Sequence, residues 1–233
     1  MGGQVEVGGW LAHIAACYFY QRRASSGLTV TAETSPASHP TLLVATTNPD
    51  KLREIRALLT GIRFEIVALR DVAPMDAPEE TGRTFEENAR LKASYYASVS
   101  GMLTVAEDSG LEVDALDGAP GVHSARFGGS ETSYPEKFAI LYDMLRGKGS
   151  LESTARFVCA LTLAEPERIL FEARGTIEGR IASSPAGHGG FGYDPIFFYP
   201  PFGCTLAEAG ERKSAVSHRG EAFRKLAAFL AAI

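Results

Sequence analysis

The stretch that most constrains this chain is Thr41-Leu-Leu-Val-Ala-Thr-Thr-Asn-Pro-Asp-Lys51, an apolar run that turns into a helix start within a few residues. Thr41 to Thr46 is short and apolar, which suits a buried strand. Thr47 and Asn48 are capping residues, and Pro49 suits the first helical position. Leu52, Ile55, Leu58 and Leu59 then recur at helical spacing, and Gly61 is placed to end the helix. A buried strand feeding an amphipathic helix commits the chain to layered α/β packing.

The rest of the pattern agrees. Residues 63–69 alternate into a second strand, and 74–82 form a Pro- and Glu-containing loop. Thr84-Phe-Glu-Glu87 fits a capping box and predicts a helix over 85–98. Residues 102–106 read as a strand ending at a loop, Glu107-Asp108-Ser109-Gly110, and 111–116 fit either a short helix or a strand. Residues 134–146 read as a helix. Residues 155–164 and 168–174 read as a strand pair, 176–182 as a further strand, and 193–198 as another. Ser217 caps a last helix striped with Phe223, Leu226, Phe229 and Leu230. Strands and helices mixed in this way imply an α/β domain with a mixed sheet.

The chain has 233 residues and a net charge of −5. A nucleic-acid-binding surface usually needs clustered cations, so none is expected. Cys17, Cys159 and Cys204 are far apart and point to a reducing compartment. No apolar run approaches a membrane span, and a cytoplasmic setting is expected. Residues 1–40 lack sustained periodicity and read as an N-terminal extension, flexible or non-native, so function is expected wholly in 41–233.

Polar loops at strand ends are where α/β sheets bind ligands. Thr46-Thr47-Asn48-Pro49-Asp50-Lys51 joins a strand to a helix N-terminus, where backbone N–H groups and the dipole favour an anion. Lys51 lies one turn in and reaches for a phosphate. Glu79-Glu80 and Asp108, from two segments, match the one or two carboxylates that Mg²⁺ takes beside waters and phosphates. Ser109 offers a donor to a phosphate oxygen. Gly187, Gly189 and Gly192 satisfy a dinucleotide fingerprint, but late in the chain and before a β-favouring run, which contradicts a Rossmann site. That loop instead presents Phe191, Gly192, Tyr193 and Asp194 to a ligand. Lys213, His218 and Arg219 sit around the start of the last helix, as phosphate charge and base-edge donors or as ordinary solvated charge.

Five segments in register, ATTNPDKLREI (45–55), EETGRTFEENARLKA (79–93), AEDSGLEVDALDGAPGVHSARF (106–127), GGFGYDPIFF (189–198) and KSAVSHR (213–219), together resemble the non-canonical purine nucleoside triphosphate pyrophosphatases. The resemblance implies an elongated mixed sheet flanked by helices, two lobes with a central cleft, a homodimer and Mg²⁺. It implies hydrolysis of ITP, dITP and XTP to the monophosphate and pyrophosphate. It makes Asp108 proton acceptor and metal ligand, with Glu79 or Glu80 sharing the metal. Thr46 to Lys51 would hold phosphates, and Ser109 and Lys213 would touch the substrate. Phe191 to Asp194 would embrace the base, and His218 and Arg219 would read its edge. The rival readings are a pyrophosphatase for modified pyrimidine triphosphates and a non-catalytic nucleotide sensor.

Overall fold

The computed structural model describes residues 39–233. The expectations for 1–38, an extension without function, lie outside the described residues. Among the described residues, seven strands form one mixed sheet in the order β2-β1-β3-β4-β5-β6-β7. They are β1 (Thr41–Val44), β2 (Glu65–Ala68), β3 (Thr104–Val113), β4 (Thr154–Glu165), β5 (Arg168–Ile181), β6 (Phe197–Tyr199) and β7 (Cys204–Thr205). Strand β1 pairs parallel with β2 and β3, and every later pairing is antiparallel. The expected α/β class with a helix-flanked mixed sheet is borne out.

The helices are α1 (Pro49–Leu58), α2 (Phe85–Ser100), α3 (Tyr134–Gly147), α4 (Arg212–Val216) and α5 (His218–Ala232). Their starts follow the caps. Asn48 accepts from the backbone N–H groups of Asp50 and Lys51, with Pro49 in the first turn. Thr84 and Glu87 close the capping box of α2. Ser217 Oγ accepts from Gly220 N at 3.0 Å. Each such cap contributes about 1 kcal/mol.

Three expectations change. Glu107 to Gly110 is not a loop but the middle of β3, with Asp108 opposite Ala160 and Ser109 opposite Cys159 on β4. Four polar or small residues in a row do not look like a strand, yet each side chain here finds a partner or a close neighbour brought by a distant element. Residues 168–174 and 176–182 are not two strands, because β5 runs through Gly175 without a break. Residues 193–198 are mostly not a strand, because Asp194–Ile196 is a short 3₁₀ turn before β6. The undecided 111–116 divides into the end of β3 and a 3₁₀ turn over Asp114–Leu116.

Two of the core clusters meet along β3. One holds Leu43, Ala45, Ala93, Tyr96 and Ala106, and the other holds Leu111, Val113, Phe138, Leu141, Phe157 and Phe197. The polar stretch Glu107–Gly110 lies between them. Strand β1 pairs with β3 only at Thr104 and Val105, so from Glu107 to Gly110 that edge carries no strand. The edge is taken up again where Ser124 Oγ accepts from Leu111 N at 2.9 Å. Gly110 permits this approach, since a Cβ there would stand 2.3 Å from Ser124 Oγ. No described helix is long and apolar enough to cross a membrane.

Candidate active site

Successive residues of a strand face opposite sides of the sheet, and β3 uses this to build two half-sites. Glu107 faces α1 and α5. Its carboxylate takes Arg219 Nε at 3.1 Å and Nη2 at 3.0 Å. Lys51 Nζ stands 3.2 Å away, and the Cys159 thiol donates at 2.7 Å. Burial opposes the charge of Glu107. Arg219 and Lys51 outweigh that, holding the carboxyl well below the usual range.

Around this anion the cations interlock. Glu54, on α1, accepts from Lys213 Nζ at 3.1 Å and from Arg219 Nη1 at 2.6 Å. Lys213 also donates to Asp194 at 2.7 Å, and Arg219 Nη2 donates to Ser109 Oγ at 3.0 Å. Burial raises the carboxyl pKa of Asp194, against the pull of Lys213. Arg219 is 1% exposed, so the reading of Lys213, His218 and Arg219 as solvated surface charge fails. Buried charges of this kind persist only when paired and hydrogen-bonded.

A pocket opens on this network, lined by Asn48, Lys51, Ser109, Phe191 to Asp194, Lys213, His218 and Arg219, with Tyr134 and Phe157 among the rest. Phe191 lies under the cations, with Lys213 Nζ 4.9 Å and Arg219 Cζ 5.5 Å from its ring centre. His218 stacks on Phe157 at 5.0 Å. Its Nδ1 is the one buried side-chain N or O atom without a hydrogen-bond partner among the described residues. Burial, then the charge of Arg219, pushes the imidazole well below its ordinary pKa, so it is neutral. A buried polar atom left unpaired costs about 1–3 kcal/mol, and this one belongs to a residue that lines the pocket.

Asp108 faces the other way, towards α2. Lys92 Nζ lies 2.9 Å from Asp108 Oδ1 and 2.8 Å from Glu80 Oε1. Asn88 Nδ2 donates to Asp108 Oδ2 at 3.2 Å, while its Oδ1 accepts from Gly82 N at 2.8 Å. Asn88 thereby ties the 79–82 loop to the strand. Arg126 Nη1 holds the other oxygen of Glu80 at 2.9 Å. Burial resists the charge on Lys92, but Asp108 and Glu80 win and raise its pKa. Glu80 titrates low despite burial, through Lys92 and Arg126.

The structure thus gathers Asn48, Lys51, Ser109, Phe191, Gly192, Tyr193, Asp194, Lys213, His218 and Arg219 about one pocket. It places Asp108 and Glu80 together on the opposite face of β3, and leaves Glu79 exposed. Thr46 accepts from Asn48 N, and Asp50 pairs outward with Arg53, so with Thr47 and Pro49 they shape the loop rather than line the pocket. Sequence reasoning missed Glu54, Glu107, Asn88, Lys92, Arg126 and Tyr134. Asn88 and Lys92 were findable, since i and i+4 share a helix face.

A cation-rich aromatic pocket on one side of an open strand edge, and paired carboxylates on the other, define an α/β protein for a ligand aromatic at one end and polyanionic at the other. The family model that matches residues 42–229 is the Ham1 family, and this chain belongs to it. A dITP/XTP pyrophosphatase from Exiguobacterium sp. (strain ATCC BAA-1283 / AT1b) is 52% identical over 188 residues, covering 80% of this chain and 95% of that protein. Another so named, from Geobacter sulfurreducens, is 47% identical, covering 79% of this chain and 94% of its own length. The solved structure of a HAM1 protein from Coxiella burnetii matches with TM-score 0.77 and 36% identity, covering 83% of this chain and all (100%) of that one.

Proposed function

We propose that this chain hydrolyses non-canonical purine nucleoside triphosphates, ITP, dITP and XTP, to the monophosphate and pyrophosphate. The observation that carries the reading is His218 Nδ1, buried and unpartnered beside Arg219 in a pocket walled by Phe191. The base would lie on Phe191. Arg219 Nη1 retains one N–H beyond its bond to Glu54, and a neutral His218 tautomer with Nδ1–H supplies a second donor. Both suit the 6-oxygen of inosine and xanthine. Adenine has an amino group there, which leaves a buried donor facing a donor, worth about tenfold or more in discrimination.

The phosphates would pass the open edge of β3, between the start of α1 and Gly110, to reach Asp108 on the far face. Asn48 already takes the Asp50 and Lys51 N–H groups, so the dipole of α1 and the charge of Lys51 would favour the phosphates there. Lys213 stands by on the pocket side. Asp108 would accept the proton of the water that attacks the α-phosphorus. Lys92 and Arg126 would neutralise charge on the leaving pyrophosphate.

Asp108 and Glu80 suit Mg²⁺. They are two hard carboxylates already brought to one ammonium, at 2.9 and 2.8 Å. Among the described residues no group of three or more His, Cys, Asp or Glu could hold an ion, and Mg²⁺ prefers one or two carboxylates completed by waters and phosphates. Glu80 rather than Glu79 is the second ligand in this reading. When bound, the ion supplies Lewis-acid polarisation of phosphoryl oxygens.

The reading includes a homodimer in a cytoplasmic setting, with catalysis confined to 41–233; the family match over 42–229 supports that confinement. Sedimentation tests the dimer, and deletion of 1–40 with turnover retained tests the confinement. The activity is tested by incubating the protein and Mg²⁺ with ITP, XTP, dITP, GTP, ATP and UTP. Monophosphate and pyrophosphate from ITP, with ATP spared, support it. Diphosphate and phosphate, or no turnover, overturn it.

A further inference from the structure

Tyr134 enters the pocket wall from the first turn of α3, and no motif singled it out. Its ring meets Tyr193 edge-on, with centres 5.5 Å apart at 88°, and packs on Phe138 at 6.2 Å. Lys137 Nζ lies 4.9 Å from its centre. The ring is therefore held, and the Tyr193 that it touches is itself anchored, donating its hydroxyl to Ser124 O at 3.0 Å.

The Tyr134 hydroxyl is not so employed. It has no hydrogen-bond partner among the described residues, and the residue is exposed (36%) where it lines the pocket. It overhangs the glycine loop, 3.6 Å from where a Cβ on Gly192 would stand. Burial raises its pKa, and the charges of Asp194 and Asp50 add to that. Asp194 accepts from Phe191 N at 2.8 Å, and Asp50 lies at the start of α1. Tyr134 lines the same pocket as Phe191, on the glycine loop, and Asn48 and Lys51, at the start of α1.

A nucleotide with its base on Phe191 and its phosphates at α1 carries its pentose across that interval. We propose that Tyr134 is a specificity-determining residue of this site, whose hydroxyl hydrogen-bonds a hydroxyl of the substrate's sugar. This rests on the pyrophosphatase reading and adds to it a contact that distinguishes sugars. A held ring places the hydroxyl with little entropy left to lose on binding. Removing one neutral hydrogen bond of this kind changes affinity by about three- to tenfold.

The test is Tyr134→Phe, which keeps the ring contacts and removes only the free hydroxyl. Turnover of ITP, 2′-deoxy-ITP and 3′-deoxy-ITP is compared in the full-length enzyme and the variant. The expected result is a drop of about three- to tenfold in kcat/KM for ITP, carried by KM, that disappears with one of the two deoxy substrates. Equal losses on all three, or no loss with ITP, overturn the sugar contact while leaving the pyrophosphatase reading intact. A wild-type enzyme that hydrolyses none of the three overturns both together.

Discussion

Lys92 stands 2.9 Å from Asp108 and, on the same nitrogen, 2.8 Å from Glu80. One ammonium occupies the place between the two carboxylates that are the proposed Mg²⁺ ligands. Replacing Lys92 with Met should therefore tighten Mg²⁺ binding to the nucleotide-free protein. A unit charge about 4 Å away is worth about 1 kcal/mol even at the dielectric of water, so about fivefold is the least expected. Titration calorimetry with MgCl₂ measures it, and unchanged or weaker binding would sink the idea.

Asp108 is the proposed proton acceptor. Asp108→Asn keeps the shape and can still bond Asn88, so the protein should still fold, with a lower melting temperature from the lost Lys92 pair. Turnover of ITP should fall by about a hundredfold or more. Near-wild-type turnover would remove Asp108 from the chemistry.

Cys159 is fully buried on β4 and donates to the carboxylate that organises Lys51 and Arg219. Cys159→Ala should raise KM for ITP several-fold and cost about 1–2 kcal/mol of stability, from the lost hydrogen bond and the small void. Cys159→Ser restores a donor, so it should recover KM better than it recovers stability. Equal KM values for Ala and Ser variants would show that only packing matters.

His218 carries a pH dependence of stability. Its folded pKa is depressed, chiefly by burial, below the ordinary value of 6.5. The unfolded chain then binds more protons than the native one as the pH falls below about 6.5, so stability is lost in that direction. His218→Gln should flatten the fall in melting temperature between about pH 6.5 and 5. Glu107 adds a second loss further into acid, since its folded pKa is also depressed. An unchanged slope in the His218 variant would assign the acid limb elsewhere.

What was legible in the sequence was local. Asn48-Pro49 and Thr84/Glu87 set helix starts because caps satisfy neighbouring N–H groups. The late glycine pattern was rightly refused as a dinucleotide site, since a 3₁₀ turn and a short strand follow it rather than a helix. What stayed hidden depends on distant partners. Glu107 and Asp108 look like loop residues until α1, α2 and α5 bring them cations. Gly175 is a glycine inside β5 because α5 packs there, with the His218 carbonyl 2.1 Å from where a Cβ would stand. The residues of the site were mostly visible as motifs. Their division between two faces of one strand was not, because a loop has no faces.

That division gives the β3–β4 ladder a second duty. Ten residue pairs, from Thr104–Ala164 to Val113–Ala155, set one register. A slip by one residue would turn Asp108 towards Arg219 and Glu107 towards Lys92, wiring each acid to the other's circuit while leaving the composition of the strand untouched. The pairing acts as a vernier: it fixes which acid meets Lys51 and Arg219 and which meets Lys92. Substitutions on the far side of β4 that loosen this alignment would then silence the enzyme without touching a single residue of its pocket.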